Sequence, residues 1–497
     1  MFNFWTLIQS KFVQIILAVC FSLFAGTILT SHLPFQSAKL MAGLSVIYLV
    51  VLIGVWHLRK QIASLSLPAF LLYLLIISSF LGAAVFNIQV GPISLFPYRM
   101  IYLMLLFVTA IFIAQNRIQL DFRRVKVKPA LLFHLFWVVY AIASLSWSRS
   151  LKMGALSIIF LGIGISLIFF IVFFFQEQSH FRHLFYIWIG MFLLLVVIGL
   201  WNHVTHLYLP VSRMKTAPAD QHGIPTAVFV NENDFASFIA VSFFLLLSFV
   251  HQAKHLAFRW IGAVFLFLSL YILLLTSSRA NFIAVCLGMG FWFLFLASRR
   301  AKVGLMVIGL AGGVLLSAIY TEKVLEFIHF AKQIVDSLMI GPAKENASVD
   351  IRSNLIKNGL LFFQQSFGFG IGPGNAEFYM GHFGKYPTAG IVNVHNWWVE
   401  ILVNYGMAVF VGYILLYAWI ICRLILIFKQ ARGCDRMISE GLIGGMIAFS
   451  LSCISPSSQI ALNYLWLLFA FAIGFINYWR IKHEGVVYGQ RIEKLDQ

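Results

Sequence analysis

Charged residues are scarce in this sequence of 497 residues. Only 10% of the residues are Asp, Glu, Lys or Arg, and 61% are hydrophobic, whereas a globular domain carries about 25% charged residues. The mean hydropathy is +0.91. Because a soluble domain cannot bury so much apolar surface, the composition predicts a multi-span membrane protein. It excludes a cytosolic enzyme, a secreted disulfide-stabilised protein and a disordered chain.

Cysteine is also rare, with five residues in the whole chain. Three lie in apolar runs, and Cys422 and Cys434 flank one basic loop. No Cys-x-x-Cys pair occurs, so nothing indicates a disulfide framework or a metal site built on cysteine. The apolar run at 11–30 is not followed by a small-residue cleavage site, and we interpret it as a retained first helix.

Apolar runs of membrane-spanning length, roughly 17–25 residues, make up most of the chain. The candidates lie at 11–30, 38–57, 67–86, 95–115, 129–147, 153–175, 184–201, 234–250, 257–276, 280–297, 303–320, 397–422, 438–455 and 460–479. The sequence therefore predicts an all-α polytopic membrane protein with about 14 (12–14) transmembrane helices. The lower bound allows for Pro456 and its neighbouring serines, which interrupt the last pair.

The distribution of basic residues orients these helices. With the N-terminus in the cytoplasm, 22 of the 35 Lys and Arg residues fall in cytoplasmic segments, and six of the other 13 lie in one long loop. Because short loops rich in Lys and Arg stay on the cytoplasmic side, both termini are predicted to face the cytoplasm. The net charge of +18 then needs no nucleic-acid partner.

Two of the predicted outer loops, at 202–233 and 321–396, are much longer than tight turns. Loops of this length are usually functional. The predicted organisation is as follows: N-terminal membrane helices at 1–201, central membrane helices at 202–320, an extracytoplasmic loop at 321–396, C-terminal membrane helices at 397–480 and a cytoplasmic tail at 481–497.

The longer loop has helical patterning of its own. Apolar residues recur at helical spacing over 324–338, which predicts an amphipathic helix on the outer membrane surface. Ser348 is a candidate N-cap for a second helix that ends near Gln365. The glycine-rich segment 368–375 follows. It reads either as a plain reversal of the chain or as a turn that presents backbone N–H groups to an anion.

Three basic side chains are candidates for chemistry. Arg279 lies in a gap between two apolar runs, so its guanidinium belongs at the membrane boundary, as a functional group or as a side chain that snorkels to headgroups. Arg352 lies in the first turns of the loop's second helix, as a functional group or as an ordinary surface charge. His395 precedes a membrane helix, as a general base or as an interfacial polar residue.

The acidic segment Asn231-Glu-Asn-Asp234 precedes another apolar run. Asn and Asp are favoured at helix N-caps, so the segment predicts a helix start. Glu232 and Asp234 also have the spacing of a weak acidic metal pair. Neither a Walker loop nor a His/carboxylate metal motif is present in the sequence, and we predict no metal.

The order of these elements along the chain is more specific than any one of them. In that order the chain carries Asn231-Glu-Asn-Asp234, Ser278-Arg279, Arg352, the glycine turn, His395-Asn396 and Asn404-Tyr-Gly406. Over about residues 226–415 the pattern resembles the O-antigen ligase/polymerase superfamily, whose members resemble membrane glycosyltransferases of the GT-C type. The Trp397-Trp398 pair departs from the commoner single aromatic residue after His-Asn and favours a subgroup such as the teichuronic-acid polymerases.

The resemblance implies transfer of a glycan from undecaprenyl diphosphate, on the outer leaflet, to a glycan or lipid-linked acceptor hydroxyl, with no metal, nucleotide or other cofactor. It implies catalytic roles for Arg279, Arg352 and His395. It also implies substrate-binding roles for Asn231, Asn233, Asp234 and Asn396.

Two further questions stay open at this point. Ligases and polymerases share these motifs, and we favour a polymerase. A transporter or flippase of lipid-linked sugars is the alternative class. Transporters usually show internal symmetry and polar breaks at the membrane midplane, whereas the polar residues here gather in one outer loop.

Overall fold

A computed structural model describes residues 66–90, 93–304, 306–307 and 347–495. The helices expected at 11–30 and 38–57 and the amphipathic helix expected at 324–338 lie outside the described residues, as does most of the run at 303–320.

Long apolar helices dominate the described residues. The main helices are α1 (Leu67–Leu81), α2 (Pro97–Ala114), α3 (Lys128–Ala143), α4 (Leu151–Phe174), α5 (Gln178–Thr205), α6 (Glu232–Gln252), α7 (Leu256–Leu275), α8 (Arg279–Phe291), α9 (Ala347–Gln365), α10 (Asn375–Phe383), α11 (Trp397–Gln430), α12 (Gly433–Ser452) and α13 (Asn463–Leu495). Short 3-10 turns cover Phe122–Arg124, Ser144–Trp147, Arg213–Thr216 and Ala219–Gln221, and a π-turn, Trp292–Leu296, extends α8.

Nine helical segments of the described chain are long and apolar enough to cross a membrane. This confirms a multi-span helical protein, while the full count of 14 stays a prediction. Helix α1 has 15 residues and falls short of the length. Helix α12 has 20 residues but carries Asp435, Arg436 and Glu440, so its composition differs from that of an ordinary span.

The most enclosed helices are α6 and α13. Their most apolar stretches are 83% and 89% buried, against 22% for α2, so these two helices form the centre of the bundle. Trp137 of α3 contacts Trp397 and Tyr405 of α11 and Trp466 of α13, with ring centroids 5.4–6.3 Å apart. These aromatic contacts hold three distant parts of the chain together.

A small β-hairpin was not expected from the sequence. Strands β1 (Ile88–Val90) and β2 (Ile93–Leu95) pair antiparallel between α1 and α2. The apolar residues of each strand alternate with Gln89 or Ser94, which is the period of a strand. The hairpin lies between the predicted spans at 67–86 and 95–115 and includes Leu95, the first residue of the second span.

Helix α11 has a break that receives the glycine-rich turn. Gly406 adopts φ 77° and ψ −176° inside the helix, so Met407 N–H does not follow the helical pattern and donates to the Gly368 carbonyl at 2.9 Å. The Val403 carbonyl accepts instead from Ile371 N–H, also at 2.9 Å. The turn thus satisfies the backbone groups that the break leaves unpaired.

Glycine is required on both sides of this contact. A Cβ on Gly370 would lie 2.5 Å from the backbone nitrogen of Gly406, and a Cβ on Gly406 would lie 2.5 Å from the Gly368 carbonyl oxygen. Both residues have positive φ, which other residues rarely adopt. Because its Ile371 and Gly372 N–H groups donate to carbonyls of α11, the turn acts as a chain reversal rather than as an anion cradle.

Candidate functional site

One cavity of about 410 Å³ collects most of the polar candidates. Three separate parts of the chain line it, namely the segment before α6, the first half of α9 and the residues before α11. The lining residues are Arg213, Asn231, Glu232, Asn233, Ile351, Arg352, Leu355, Ile391 and His395. The motifs that the sequence separates by more than 160 residues therefore meet in one place.

The Asn231–Asp234 segment begins α6, as predicted. Asn231 is the N-cap, and its Oδ1 accepts from the Asp234 N–H at 2.9 Å. The Asn231 Nδ2 in turn donates to Oδ2 of Asp234 at 2.9 Å. Asp234 is 6% exposed and does not line the cavity, so its carboxylate supports the helix start while Asn231 faces the cavity.

Asn233 joins the cavity to two other parts of the bundle. Its Oδ1 accepts from the hydroxyl of Ser278 at 2.9 Å and from that of Ser455 at 3.0 Å. Asn281 Nδ2 donates to the hydroxyl of Ser278 at 2.9 Å. This network fixes the start of α8 and the residues after α12 against the start of α6.

Arg213 is the cavity residue that sequence reasoning missed. Its Nε donates to Oε2 of Glu232 at 2.9 Å, and a terminal nitrogen donates to Oε1 at 2.5 Å. This is the two-point contact that a guanidinium makes with a carboxylate. The side chain of Arg213 is 50% exposed and that of Glu232 is 12% exposed. The more buried Glu232 therefore holds Arg213 in place, and Arg213 still lines the cavity.

Arg352 is half-buried on α9 and faces the same space. Burial lowers the pKa of the Arg352 guanidinium, and the negative charge of Glu232 opposes that shift. Arginine nevertheless keeps its charge in proteins. The cavity thus contains two guanidinium groups and one carboxylate, which leaves it net positive.

His395 precedes α11 in a constrained backbone conformation, with φ at 52°. Its Nδ1 lies 3.3 Å from the Ser455 carbonyl oxygen. A carbonyl only accepts hydrogen bonds, so Nδ1 carries a proton and the Nε2 of the neutral imidazole keeps its lone pair. Burial lowers the pKa of His395 and the charge of Arg352 lowers it further, against the carbonyls of Ser455 and Pro456. The ring is therefore neutral at pH 7.

Besides Asp234, two predicted site residues are not on the cavity lining. Arg279 is exposed at the first position of α8, directly after the Ser278 that binds Asn233. Asn396 is the N-cap of α11, where its Oδ1 accepts from the Val399 N–H at 3.2 Å. Asn396 fixes the helix that follows His395, whereas Arg279 presents its charge next to the Asn233 network.

The acidic residues near the cavity have other partners. Within the described part of the chain, no group of three or more His, Cys, Asp or Glu side chains has the arrangement of a metal site. Glu232 binds Arg213 and Asp234 binds Asn231. Each of these two carboxylates therefore holds a side chain of the protein.

The missed residues show what sequence reasoning lacked. Arg213 lies in the long outer segment 202–233, whose length alone marked it as functional. Arg213 also precedes the acidic residue Glu232 by 19 positions, but a spacing of this length does not indicate a contact unless the fold is known. Ser455 lies in the serine run that we had read only as an interruption between two spans.

The matches to known proteins cover the part of the chain that carries these motifs. Residues 264–414 match the family described as O-antigen ligase, a range that includes Arg279, Arg352, His395 and the Gly406 break. Over 409 residues the chain is 32% identical to the Teichuronic acid biosynthesis protein TuaE of Bacillus subtilis (strain 168), a match that covers 82% of this chain and 83% of that protein. The resemblance predicted from the motifs is confirmed. The chain belongs to the O-antigen ligase family and is a membrane glycosyltransferase-like enzyme of polysaccharide biosynthesis.

Proposed function

We propose that this protein polymerises a cell-surface polysaccharide by transferring undecaprenyl-diphosphate-linked glycan to an acceptor hydroxyl at the outer face of the bacterial plasma membrane. One observation carries the proposal. Arg352, His395 and the Asn231–Asn233 segment, which come from three regions of the chain, line one cavity. A cationic, partly buried cavity beside a neutral imidazole suits an anionic leaving group and a hydroxyl nucleophile.

The leaving group is a diphosphate, so charge stabilisation is the first requirement. Arg352 faces the cavity and is half-buried, where a charge interacts more strongly than in water. Arg213 adds a second guanidinium with two of its donors held by Glu232 and the others free. Arg279, at the rim, binds the diphosphate as it enters from the membrane. Fixed cations of this kind supply roughly 3–4 kcal/mol of barrier lowering per well-placed donor.

His395 is assigned to the acceptor. The acceptor oxygen attacks the anomeric carbon of the donor sugar, the bond from that carbon to the diphosphate oxygen breaks, and the diphosphate leaves with the electron pair. The proton of the acceptor hydroxyl moves to Nε2 of His395. The Ser455 carbonyl, which binds the opposite ring nitrogen at 3.3 Å, stabilises the imidazolium that forms.

The asparagines position the reactants. Asn231 and Asn233 lie on the cavity lining and present amide groups to the donor sugar. Asp234 and Asn396 act on substrate through the helix starts that they hold, because Asp234 braces the helix that carries Asn233 and Asn396 caps the helix that follows His395.

The positive charge for the departing diphosphate comes from arginine side chains, so we propose metal-independent transfer. The relative named for teichuronic acid supports a wall polysaccharide as the product, and the paired Trp397-Trp398 favours the polymerase over the ligase. The side of the membrane follows from the excess of Lys and Arg in the predicted cytoplasmic loops.

Reconstitution tests this proposal directly. The purified protein is supplied with an undecaprenyl-diphosphate-linked repeat unit in EDTA, and products are separated by length. A ladder of longer glycans is expected with wild-type protein and not with Arg352→Ala. Loss of turnover in EDTA that Mg²⁺ or Mn²⁺ restores would contradict metal independence. A single addition to a separate acceptor, without a ladder, would identify a ligase.

The membrane side needs its own measurement. Single cysteines replace Lys385 and Lys126 in a cysteine-free background, and an impermeant thiol reagent is added to intact cells. Labelling at 385 and protection at 126 are expected. The reverse pattern would place the cavity on the cytoplasmic side and favour a transporter.

A further inference from the structure

A second cavity, of about 630 Å³, lies at the far end of α9. It shares no lining residue with the first cavity. Arg352 and Gln365 mark the two cavities on one helix, and a rise of 1.5 Å per residue separates them by about 20 Å. The second cavity is therefore a separate site beside the same helix.

Aromatic side chains form much of its lining and are held in place. The Tyr140 hydroxyl donates to the Phe369 carbonyl at 2.8 Å, and Trp147 Nε1 donates to the Gly370 carbonyl at 2.9 Å. Tyr140 and Trp147 also meet edge to face, with centroids 6.1 Å apart. The ring of Phe369 is 62% exposed. The cavity thus offers two rings held by hydrogen bonds, Tyr140 and Trp147, and a third, exposed aromatic residue, Phe369.

Arg149 supplies the charge of this cavity. Its guanidinium lies 4.7 Å from the ring centroid of Phe383 and 5.7 Å from that of Tyr379, and within the described residues no carboxylate forms a salt bridge with it. No lining residue of the cavity is acidic, while Gln365 and Ser366 add polar groups. The guanidinium is oriented by rings and keeps its donors for an anion.

We propose that this cavity binds acidic sugar units of the glycan, with a sugar carboxylate on Arg149 and sugar faces against Trp147 and Phe369. Binding sites of this type combine aromatic walls with a few placed polar groups. A carboxylate fits the guanidinium fork at two points. The polar groups favour a saccharide over the acyl chains of a lipid. That the bound sugar belongs to the glycan substrate rests on the proposed function, whereas the binding of an acidic sugar by this cavity does not.

The test measures binding alone, on the full-length protein in detergent micelles. Isothermal titration compares tetragalacturonate with uncharged maltotetraose of equal length. Wild-type protein is expected to prefer tetragalacturonate, and Arg149→Gln is expected to weaken that binding by about 10- to 100-fold, as for a lost charged hydrogen bond. Arg149→Gln should leave maltotetraose binding unchanged. Phe369→Ala removes an exposed ring and keeps the backbone carbonyl that Tyr140 binds, so it should weaken the binding of both sugars.

Lys385→Gln is the matched control, because it removes the same charge from an exposed position outside the cavity. Equal weakening by Lys385→Gln, or no binding of tetragalacturonate by wild type, would overturn the proposal. Native mass spectrometry would also overturn the proposal if wild-type protein retained phosphatidylglycerol, Arg149→Gln lost this lipid, and neither protein bound the sugar.

The two proposals fail separately. Arg352→Gln should keep tetragalacturonate binding and lose transfer. If Arg352→Gln transfers normally, the proposed reaction site is wrong while the sugar site stands. If Arg149→Gln binds tetragalacturonate as wild type does, the sugar site is wrong whatever Arg352→Gln does.

Discussion

At each end of α6 a carboxylate binds a side chain that contains nitrogen, but the surroundings of the two pairs differ. At the N-terminal end, Glu232 binds Arg213 beside an open cavity, and Arg213 is half exposed. At the C-terminal end, the Glu440 side chain from α12 is fully buried and binds His251 at 2.6 Å. The first pair keeps donors free for another molecule, whereas the second is enclosed by protein.

The buried cluster is saturated with hydrogen bonds. Trp292 Nε1 donates to Glu440 at 2.6 Å and Gln252 Nε2 donates at 2.7 Å. The Nε2 of His251 lies 3.3 Å from the Ser298 backbone nitrogen and 3.1 Å from the Ser298 hydroxyl oxygen. A buried polar network with every partner present stabilises one packing arrangement. The C-terminal end of α6 is thus an enclosed polar cluster, whereas the N-terminal end borders the cavity in which we propose that substrate binds.

The largest expected effect is on turnover and comes from His395→Ala. Removal of a general base lowers turnover by about 10²- to 10⁴-fold, and donor binding should be unchanged because a neutral imidazole contributes little to anion binding. Initial rates and donor affinity of the purified variant measure both. His382→Ala, on α10 and outside the cavity, is the control and should be near wild type. Wild-type turnover in His395→Ala would contradict the assignment.

Next comes the stability of the buried end. Glu440→Ala leaves the donors of His251, Trp292 and Gln252 without their acceptor, and each buried donor left without a partner costs about 1–3 kcal/mol. Glu232→Gln, at the half-exposed end, should cost less than about 1 kcal/mol and mainly lower turnover. Thermal unfolding in detergent measures both variants. Equal losses of stability would break the comparison between the two ends.

A smaller effect is expected from Arg352→Lys, which keeps the charge and loses the planar fork. Donor use should fall by about 10- to 100-fold, the range for a charged hydrogen bond, with little change in stability. Steady-state kinetics with varied donor gives the result. Lys357→Ala, on the same helix but exposed, should stay near wild type. Full activity of Arg352→Lys would show that a point charge suffices.

The smallest effect is in the pH profile. Because the pKa of His395 is lowered from 6.5, the base stays unprotonated, and active, below the pH at which an ordinary histidine would be half protonated. Turnover should therefore fall on acidification with a midpoint below 6.5. Since Arg352→Lys keeps the neighbouring charge, its midpoint should match that of wild type. A midpoint above 6.5 would mean that another group titrates or that His395 pairs with an anion.

Much of the fold follows from the sequence because hydrophobic runs report membrane helices directly. The run at 234–250 corresponds to α6, and its start was marked by Asn231, which is indeed the N-cap. The end of α9 at Gln365 was marked by the glycines that follow. In each case the signal is local, since capping and chain reversal depend on adjacent residues.

The remainder depends on contacts between distant residues. The run at 397–422 reads as one continuous helix, and the break at Gly406 appears only with the turn that fills it. No local pattern in the sequence predicts the ion pair between Arg213 and Glu232. Sequence reasoning also grouped Arg279 with Arg352, whereas Arg279 is exposed at the start of α8 and does not line the cavity that contains Arg352.

The fit between the glycine turn and α11 has a consequence for biosynthesis. The turn is bonded on one side to Tyr140 and Trp147 and on the other to backbone groups up to Met407. A chain is made from its N-terminus, so the first surface exists long before the second emerges from the ribosome. Until the segment around Gly406 has left the ribosome, the turn at 368–374 can form only its hydrogen bonds with Tyr140 and Trp147. The turn at 368–374 therefore reaches its final shape only after α11 has been made, and a protein truncated before α11 would lack the backbone groups that the turn binds.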